Sequence, residues 1–286
     1  MRTRWRCGEV GDWRALIAQT VMAMTVTAMT VTIAPAFAAT RLEGRLIQGG
    51  LVIGTTMPGS TVTLDGRAVR VAPDGLFLFG FNRETTAAAL AITAPDGRVD
   101  RRQLSVEARR YDIQRIDGLP PKTVSPPLET LARIRREGIQ IKAARMQDTP
   151  VAYFKTGFKW PAWGRISGVY GSQRVLNGKP RRPHYGIDVA APVGTPVVAP
   201  ADGVVRLAEP ELFYSGGTII LDHGHGLSST FLHMARVEVQ PGDQLRQGDR
   251  LGTIGATGRA TGPHLDWRIN WFDQRLDAGL LVPPMP

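Results

Sequence analysis

All five histidines of the 286-residue chain lie between positions 184 and 264. His184-x-x-x-Asp188 places an imidazole and a carboxylate an even number of residues apart, and His264-x-Asp266 repeats the pattern at a spacing of two. In an extended chain both members of such a pair point to one face. A catalytic zinc site needs three nitrogen or oxygen ligands and one open position, and His184, Asp188 and Asp266 are the candidate ligands.

The other three histidines have less specific surroundings. His233 lies in an apolar, strand-like run, where a histidine either fills the core or faces the cleft as a proton-transfer or charge-stabilising group. His223 and His225 lie in the segment Asp222-His-Gly-His-Gly226, whose glycines and leading aspartate favour a hairpin turn over a second metal site.

Taken together and in this order, the segments resemble the lysostaphin/LytM family of zinc peptidases, which are peptidoglycan endopeptidases. The resemblance covers about residues 160–286, under half of the chain. It rests on the two His/Asp motifs and on the segments Gly186–Val197, Leu221–Leu227, Val239–Asp243, Gln247–Asp249 and Thr257–His264.

The resemblance implies one zinc ion, a role for each site residue and no other cofactor. In that family the His and Asp of the first motif and the second His of a His-x-His motif bind the metal. The first His of that pair and a His on a preceding strand assist the reaction. Carried over, His184 and Asp188 become zinc ligands, and His233 and His264 become the catalytic pair.

The third ligand position departs from the family pattern, because Asp266 stands where a histidine is expected. A carboxylate oxygen also binds zinc, at about 2.0–2.2 Å. The substitution makes the site less positive, and a less positive site lowers the pKa of bound water less. We therefore expect weaker activity at neutral pH, or compensation by another group such as Asn177 or Arg182.

The function that the resemblance implies is that of a zinc metallo-endopeptidase that hydrolyses peptide cross-links of bacterial peptidoglycan, with water held by the zinc as the nucleophile. The alternative is a catalytically silent relative that binds cell wall or activates another wall hydrolase. A biotinyl or lipoyl carrier would share part of the β pattern. It is excluded because no lysine follows Lys179.

The first 38 residues are typical of a secretory signal peptide. Four arginines come first, an uncharged run from Ala15 to Thr40 follows, and the stretch ends in the small-x-small site Ala36-Phe37-Ala38. An uncleaved membrane anchor is the alternative. The sequence thus predicts an exported protein of the periplasm or cell envelope. Without this segment the chain holds no cysteine, since Cys7 is the only one.

Behind this segment we expect a mainly β chain in two parts. Alternating apolar and polar residues in 39–117, punctuated by turn pairs, predict a small N-terminal β-sandwich-like domain. A Pro-rich linker and a helix with Leu131 and Ile134 on its apolar stripe follow in 118–150. Residues 151–286 are predicted to form an antiparallel LytM-like domain, related to lipoyl or duplicated-hybrid folds. The turn pairs are Pro58-Gly59, Asp65-Gly66, Asp74-Gly75 and Asp96-Gly97.

The charge of the chain bears on its partners. Removing residues 1–38, which hold four arginines and two acidic residues, lowers the formal net charge from +10 to +8. Residues 151–286 hold 14 Lys and Arg against 11 Asp and Glu, so no dense basic patch indicates a nucleic-acid groove. We expect peptidoglycan as the partner, no nucleic acid, and contacts of the N-terminal β domain with other envelope proteins.

Overall fold

The computed structural model describes residues 40–116, 128–176 and 178–285. From Thr40 onward these residues belong to one compact unit. The predicted signal peptide and the Pro-rich part of the linker lie outside the described residues. Within those ranges, no helix combines the length and the apolar character needed to cross a bilayer.

The N-terminal part consists of short antiparallel strands. Strands β1, β2 and β5 form one sheet, and β4, β3, β6 and β7 form a second. The alternating pattern of β6 buries every second residue, among them Leu90 and Ile92, against Phe77 and Phe79. The strands are β1 (Arg41–Gly44), β2 (Leu51–Thr55), β3 (Thr61–Leu64), β4 (Arg67–Val69), β5 (Leu76–Gly80), β6 (Ala87–Thr93), β7 (Val99–Ser105) and β8 (Ile113–Ile116).

The predicted helix is present as α1 (Leu128–Arg145). Its Ala144 packs with Leu207, Leu212 and Ile220 in a small buried cluster, with Ile141 beside it. The helix therefore lies against the outer strands of the C-terminal sheet.

The C-terminal part is built on one large antiparallel sheet. Its strand order is β17-β14-β15-β16-β19-β12-β9, with β13, β18 and β20 attached beside it. The strands are β9 (Arg165–Gly168), β10 (Gln173–Leu176), β11 (Lys179–Pro180), β12 (Ile187–Ala190), β13 (Pro196–Val198), β14 (Gly203–Leu212), β15 (Gly216–Gly224), β16 (Leu227–Val237), β17 (Gln244–Leu245), β18 (Arg250–Ile254), β19 (Leu265–Trp271) and β20 (Gln274–Leu276). The mainly β fold class is confirmed. The domain boundaries at 117 and 150 stay a prediction.

The N-terminal strands contact the C-terminal sheet through one continuous hydrophobic core and through polar bonds. Strand β8 pairs in parallel with β10, which precedes the His184 motif. The Arg109 guanidinium donates to Asp277 at 2.7 Å, and Asp277 also accepts from the backbone N–H of Gly279 at 2.9 Å. Asp277 is only 5% exposed, so this bond joins the two parts in a dry environment.

Replacing Asp277 with alanine is expected to lower the free energy of unfolding by about 2–4 kcal/mol, because it leaves Arg109 unpaired and removes a turn cap. The measurement is urea denaturation followed by circular dichroism. Asp273→Ala is the matched control, since Asp273 pairs with Arg67 but its side chain is 62% exposed. Equal stability of the two variants would contradict the expectation.

Candidate metal and catalytic site

Strand pairing brings the two aspartates of the motifs together. Strands β12 and β19 are antiparallel neighbours, and Asp188 lies directly opposite Asp266. Glycines on both sides make room for the carboxylates. A Cβ atom at Gly168 would collide with Asp188, and one at Gly186 would collide with Asp266. The pairing therefore brings together the carboxylates of the two predicted His/Asp motifs.

His184 completes the group. Its Nε2 atom lies 3.1 Å from Asp188 Oδ1 and 3.4 Å from Asp266 Oδ2. Its Nδ1 atom lies 3.3 Å from the carbonyl oxygen of Val169, and since a carbonyl only accepts, this contact favours a proton on Nδ1. That tautomer directs the lone pair of Nε2 at the two carboxylates, the orientation that a metal ligand needs.

The donor set fits zinc. One ligand atom from each of the three residues lies within 4.8 Å of the others. His184 Nε2 and Asp188 Oδ1 are buried and 3.1 Å apart, and neither atom has another hydrogen-bond partner among the described residues. Ligand atoms about 2.0–2.2 Å from a tetrahedral zinc ion lie about 3.3–3.6 Å apart. The spacings of His184 to both carboxylates are close to that value.

Arg268 is the group that compensates the charge of Asp266. Its Nε donates to Asp266 Oδ1 at 2.9 Å, and one terminal nitrogen lies 2.5 Å from Oδ2. The two residues are two apart on β19, so they share a face. With Asp266 in place of a histidine, the site carries one more negative charge than the two-histidine, one-aspartate site of the family. The positive charge of Arg268 offsets it.

The electrostatics without metal follow from this arrangement. Burial opposes the charged form of His184, but hydrogen bonding and attraction to Asp188 and Asp266 prevail and raise its pKa to about 10. Burial likewise opposes ionisation of Asp266, but Arg268 and His184 hold its pKa well below the usual range. Without metal, the His184 ring is therefore protonated on both nitrogens at neutral pH. A metal ion must displace the proton on Nε2 to bind there.

The two predicted catalytic histidines lie side by side. The ring centres of His233 and His264 are 4.8 Å apart, and His264 Nε2 lies 3.9 Å from Asp188 Oδ1. The Nδ1 atoms are 2.8 Å from the backbone carbonyls of Thr257 and Gly262 respectively. Both rings thus donate from Nδ1 and keep Nε2 free for proton transfer.

The remaining histidines belong to the β15–β16 hairpin, as predicted. His223 is buried, with Nδ1 2.7 Å from Asp202 O and Nε2 2.7 Å from Ser229 Oγ. Burial lowers its pKa to about 4, so it is a neutral core residue at pH 7. His225 Nε2 lies 3.1 Å from Pro150 O. Neither joins the group formed by His184.

The sequence prediction of the compensating group was incomplete. It named Asn177 or Arg182, but Arg268 makes the direct contact with Asp266, and Asn177 lies outside the described residues. The period of two that pairs His264 with Asp266 also places residue 268 on that face, so this spacing could have revealed Arg268.

The comparisons with known proteins agree with this geometry. Residues 182–278 match the profile of Peptidase family M23. The chain is 37% identical over 112 residues to the peptidoglycan DD-endopeptidase ShyA of Vibrio cholerae, covering 39% of this chain and 25% of that protein. It is 37% identical over 142 residues to the DD-carboxypeptidase/endopeptidase Mpg of Neisseria meningitidis, covering 49% and 33%.

A solved structure matches over more of the chain. A Pseudomonas aeruginosa protein assigned to the M23 peptidases superposes with a TM-score of 0.65 at 29% identity, covering 83% of this chain and 95% of that one. The match of residues 182–278 confirms the resemblance to these peptidases over that part of the chain. The chain spans only a quarter to a third of the length of the two curated relatives.

Restoring histidine at position 266 should be harmful unless Arg268 changes as well. Asp266→His leaves a largely buried guanidinium without its counter-ion, so we expect a loss of about 2–4 kcal/mol in unfolding free energy. Asp266→His combined with Arg268→Gln should recover most of this loss. Thermal unfolding without metal measures both, and a double variant no more stable than the single one would contradict the pairing.

Zinc binding is expected to release about one proton near neutral pH, because the ion replaces the proton on His184. Between pH 6 and 9 the apparent affinity should therefore rise about tenfold per pH unit. Titration calorimetry in buffers of different ionisation enthalpy counts the protons released. Zinc binding that is independent of pH in this range would show that His184 is neutral or is not a ligand.

Proposed function

We propose that the chain is an exported zinc metallo-endopeptidase that hydrolyses peptide cross-links of bacterial peptidoglycan. The observation that carries the proposal is the convergence of His184, Asp188 and Asp266, with ligand atoms within 4.8 Å of one another, beside His233 and His264. The substrate class is supported by the name of ShyA, a peptidoglycan DD-endopeptidase, and the reaction by the names of both curated relatives.

His184, Asp188 and Asp266 would hold one zinc ion. When bound there, zinc supplies the Lewis acidity that polarises a scissile carbonyl and makes water a nucleophile at neutral pH. The role of Arg268 is to neutralise Asp266 and to fix the orientation of its carboxylate.

His233 and His264 would transfer protons during the reaction. Burial lowers the pKa of His233, so this ring is neutral at pH 7 and can accept a proton from the attacking water through Nε2. His264, whose ring lies alongside, can stabilise the negative charge that develops on the carbonyl oxygen or protonate the leaving amine when its Nε2 also carries a proton. Their backbone hydrogen bonds keep both rings oriented during this exchange.

A catalytically silent protein that binds cell wall or activates another wall hydrolase is the second candidate. The observation that favours it is the Asp266–Arg268 ion pair, which already satisfies the third carboxylate without metal. The buried ligand atoms His184 Nε2 and Asp188 Oδ1 favour the metallopeptidase, because they contact each other and have no other hydrogen-bond partner among the described residues.

We place the protein in the periplasm or cell envelope, because residues 1–38 have the pattern of a signal peptide and peptidoglycan lies outside the cytoplasm. The N-terminal β strands are proposed to contact other envelope proteins.

The purified protein is expected to bind close to one zinc ion per chain and to release soluble peptides from purified cell wall. His264→Ala should keep the zinc but lose roughly 100-fold or more of the cleavage rate, the scale of a lost general acid or base. Asp266→Ala should lose both zinc and cleavage. Zinc is measured by mass spectrometry and released peptides by liquid chromatography.

The Asp249→Ala variant, at an exposed aspartate, serves as the matched carboxylate control and should keep both properties. Wild-type protein that neither retains zinc nor cleaves wall under metal-replete conditions would overturn the peptidase assignment in favour of the silent alternative.

A further inference from the structure

A row of side chains crosses the sheet beside the candidate zinc site. Ile220 on β15 pairs with Thr230 on β16, and Thr230 pairs with Arg268 on β19. Residues in register on neighbouring strands project to the same face, so the row leads from Ile220 to the guanidinium that holds Asp266. With strands about 4.8 Å apart, its ends are roughly 10 Å from each other.

Helix α1 covers the far end of this row. Ala144 packs on Ile220, and Arg145 is the next residue and the last of the helix. The Nε atom of Arg145 is buried and has no hydrogen-bond partner among the described residues. Thr230 Oγ1, in the middle of the row, is also buried and unpartnered. Two buried polar groups, one on the helix and one on the sheet, thus lack a partner within the described part of the chain, which native proteins avoid unless water or a ligand supplies one.

Positive charge accumulates at the same place. Burial, together with repulsion by Arg275, Arg268 and Arg182, holds the pKa of Arg145 well below its usual value. Burial and repulsion by Arg268 and Arg182 lower the pKa of Arg275 to about 10. Asp266 is the carboxylate among these neighbours whose negative charge stabilises charged Arg145, and it is already paired with Arg268.

Arg268 itself has donors to spare. Its bonds to Asp266 use Nε and one terminal nitrogen, and the other terminal nitrogen makes no hydrogen bond or ion pair among the described residues. Arg275 donates one bond, of 3.2 Å, to Asn270. The guanidinium fork suits the two oxygens of a carboxylate, and charge-assisted bonds of this kind are strong.

We propose that Arg145, Thr230, Arg268 and Arg275 together form an arginine pocket that binds a carboxylate of the substrate peptide next to the bond that is cleaved. The inference rests on the proposed peptidase function and adds a substrate requirement to it, namely a peptide with a free carboxylate close to the scissile amide. A terminal carboxylate and a side-chain carboxylate share this chemistry.

The test measures binding to the metal-free protein, so that it does not depend on hydrolysis. The probes are one synthetic cross-linked peptide in three forms: all carboxylates free, the C-terminus amidated, and the side-chain carboxylates amidated. We expect one amidation to weaken binding about tenfold or more in titration calorimetry, the scale of a lost charge-assisted hydrogen bond. The form that loses affinity identifies which carboxylate enters the pocket.

Variants connect this preference to the pocket. Arg145→Met should abolish the difference between the free and amidated peptides, and Arg145→Lys should keep part of it, because it retains the charge but not the fork. Arg136→Met, an exposed change on the same helix, should leave the preference intact. Thr230→Val is expected to weaken binding of the free peptide alone. Melting curves check that each variant is folded.

Equal binding of the three peptides to the wild-type protein, no measurable binding of any of them, or a preserved preference in Arg145→Met would each overturn the inference. The peptidase proposal is judged separately on zinc-loaded protein. Wall cleavage without a carboxylate preference would contradict the pocket proposal and support the peptidase proposal. Carboxylate-selective binding without wall cleavage would support the pocket proposal and contradict the peptidase proposal.

Discussion

Asp188 and Asp266 lie directly opposite each other on neighbouring strands of the sheet. Like charges in that position repel, so the fold depends on positive charge placed between and beside the carboxylates. The metal-free protein provides it with protonated His184 and with Arg268. A bound zinc ion would supply this positive charge in place of the proton on His184. The same requirement explains the glycines at 168 and 186, which leave space for the two carboxylates.

The N-terminal strands also contribute to the position of His184. Gly171 and Ser172 form backbone hydrogen bonds with His184, each 2.8 Å long, and Val169 O lies near its Nδ1. Arg83 stabilises the segment of Val169, Gly171 and Ser172, because its Nε donates to Gly171 O at 2.9 Å. Because Arg83 lies on the N-terminal side of the molecule, the ligand histidine is oriented by both parts of the chain.

Much of the site could be predicted from the sequence because it depends on local spacing. The motifs His184-x-x-x-Asp188 and His264-x-Asp266 identified residues that meet at the site, and the turn dipeptides separate the strands. The remainder depends on tertiary pairing. Neither the approach of Arg145 from the end of α1 nor the parallel pairing of β8 with β10 has a local signature. Both arise from contacts between segments that are distant in the chain.

X-ray absorption spectroscopy at the zinc edge of the zinc-loaded protein tests the central claim, that Asp266 paired with Arg268 serves as a metal ligand. Imidazole rings add characteristic outer-shell scattering, so the method counts histidine ligands. The account predicts one imidazole and otherwise oxygen donors in the wild type, with a second imidazole in the Asp266→His, Arg268→Gln double variant. Two imidazoles in the wild-type spectrum would mean that another histidine binds the metal in place of Asp266.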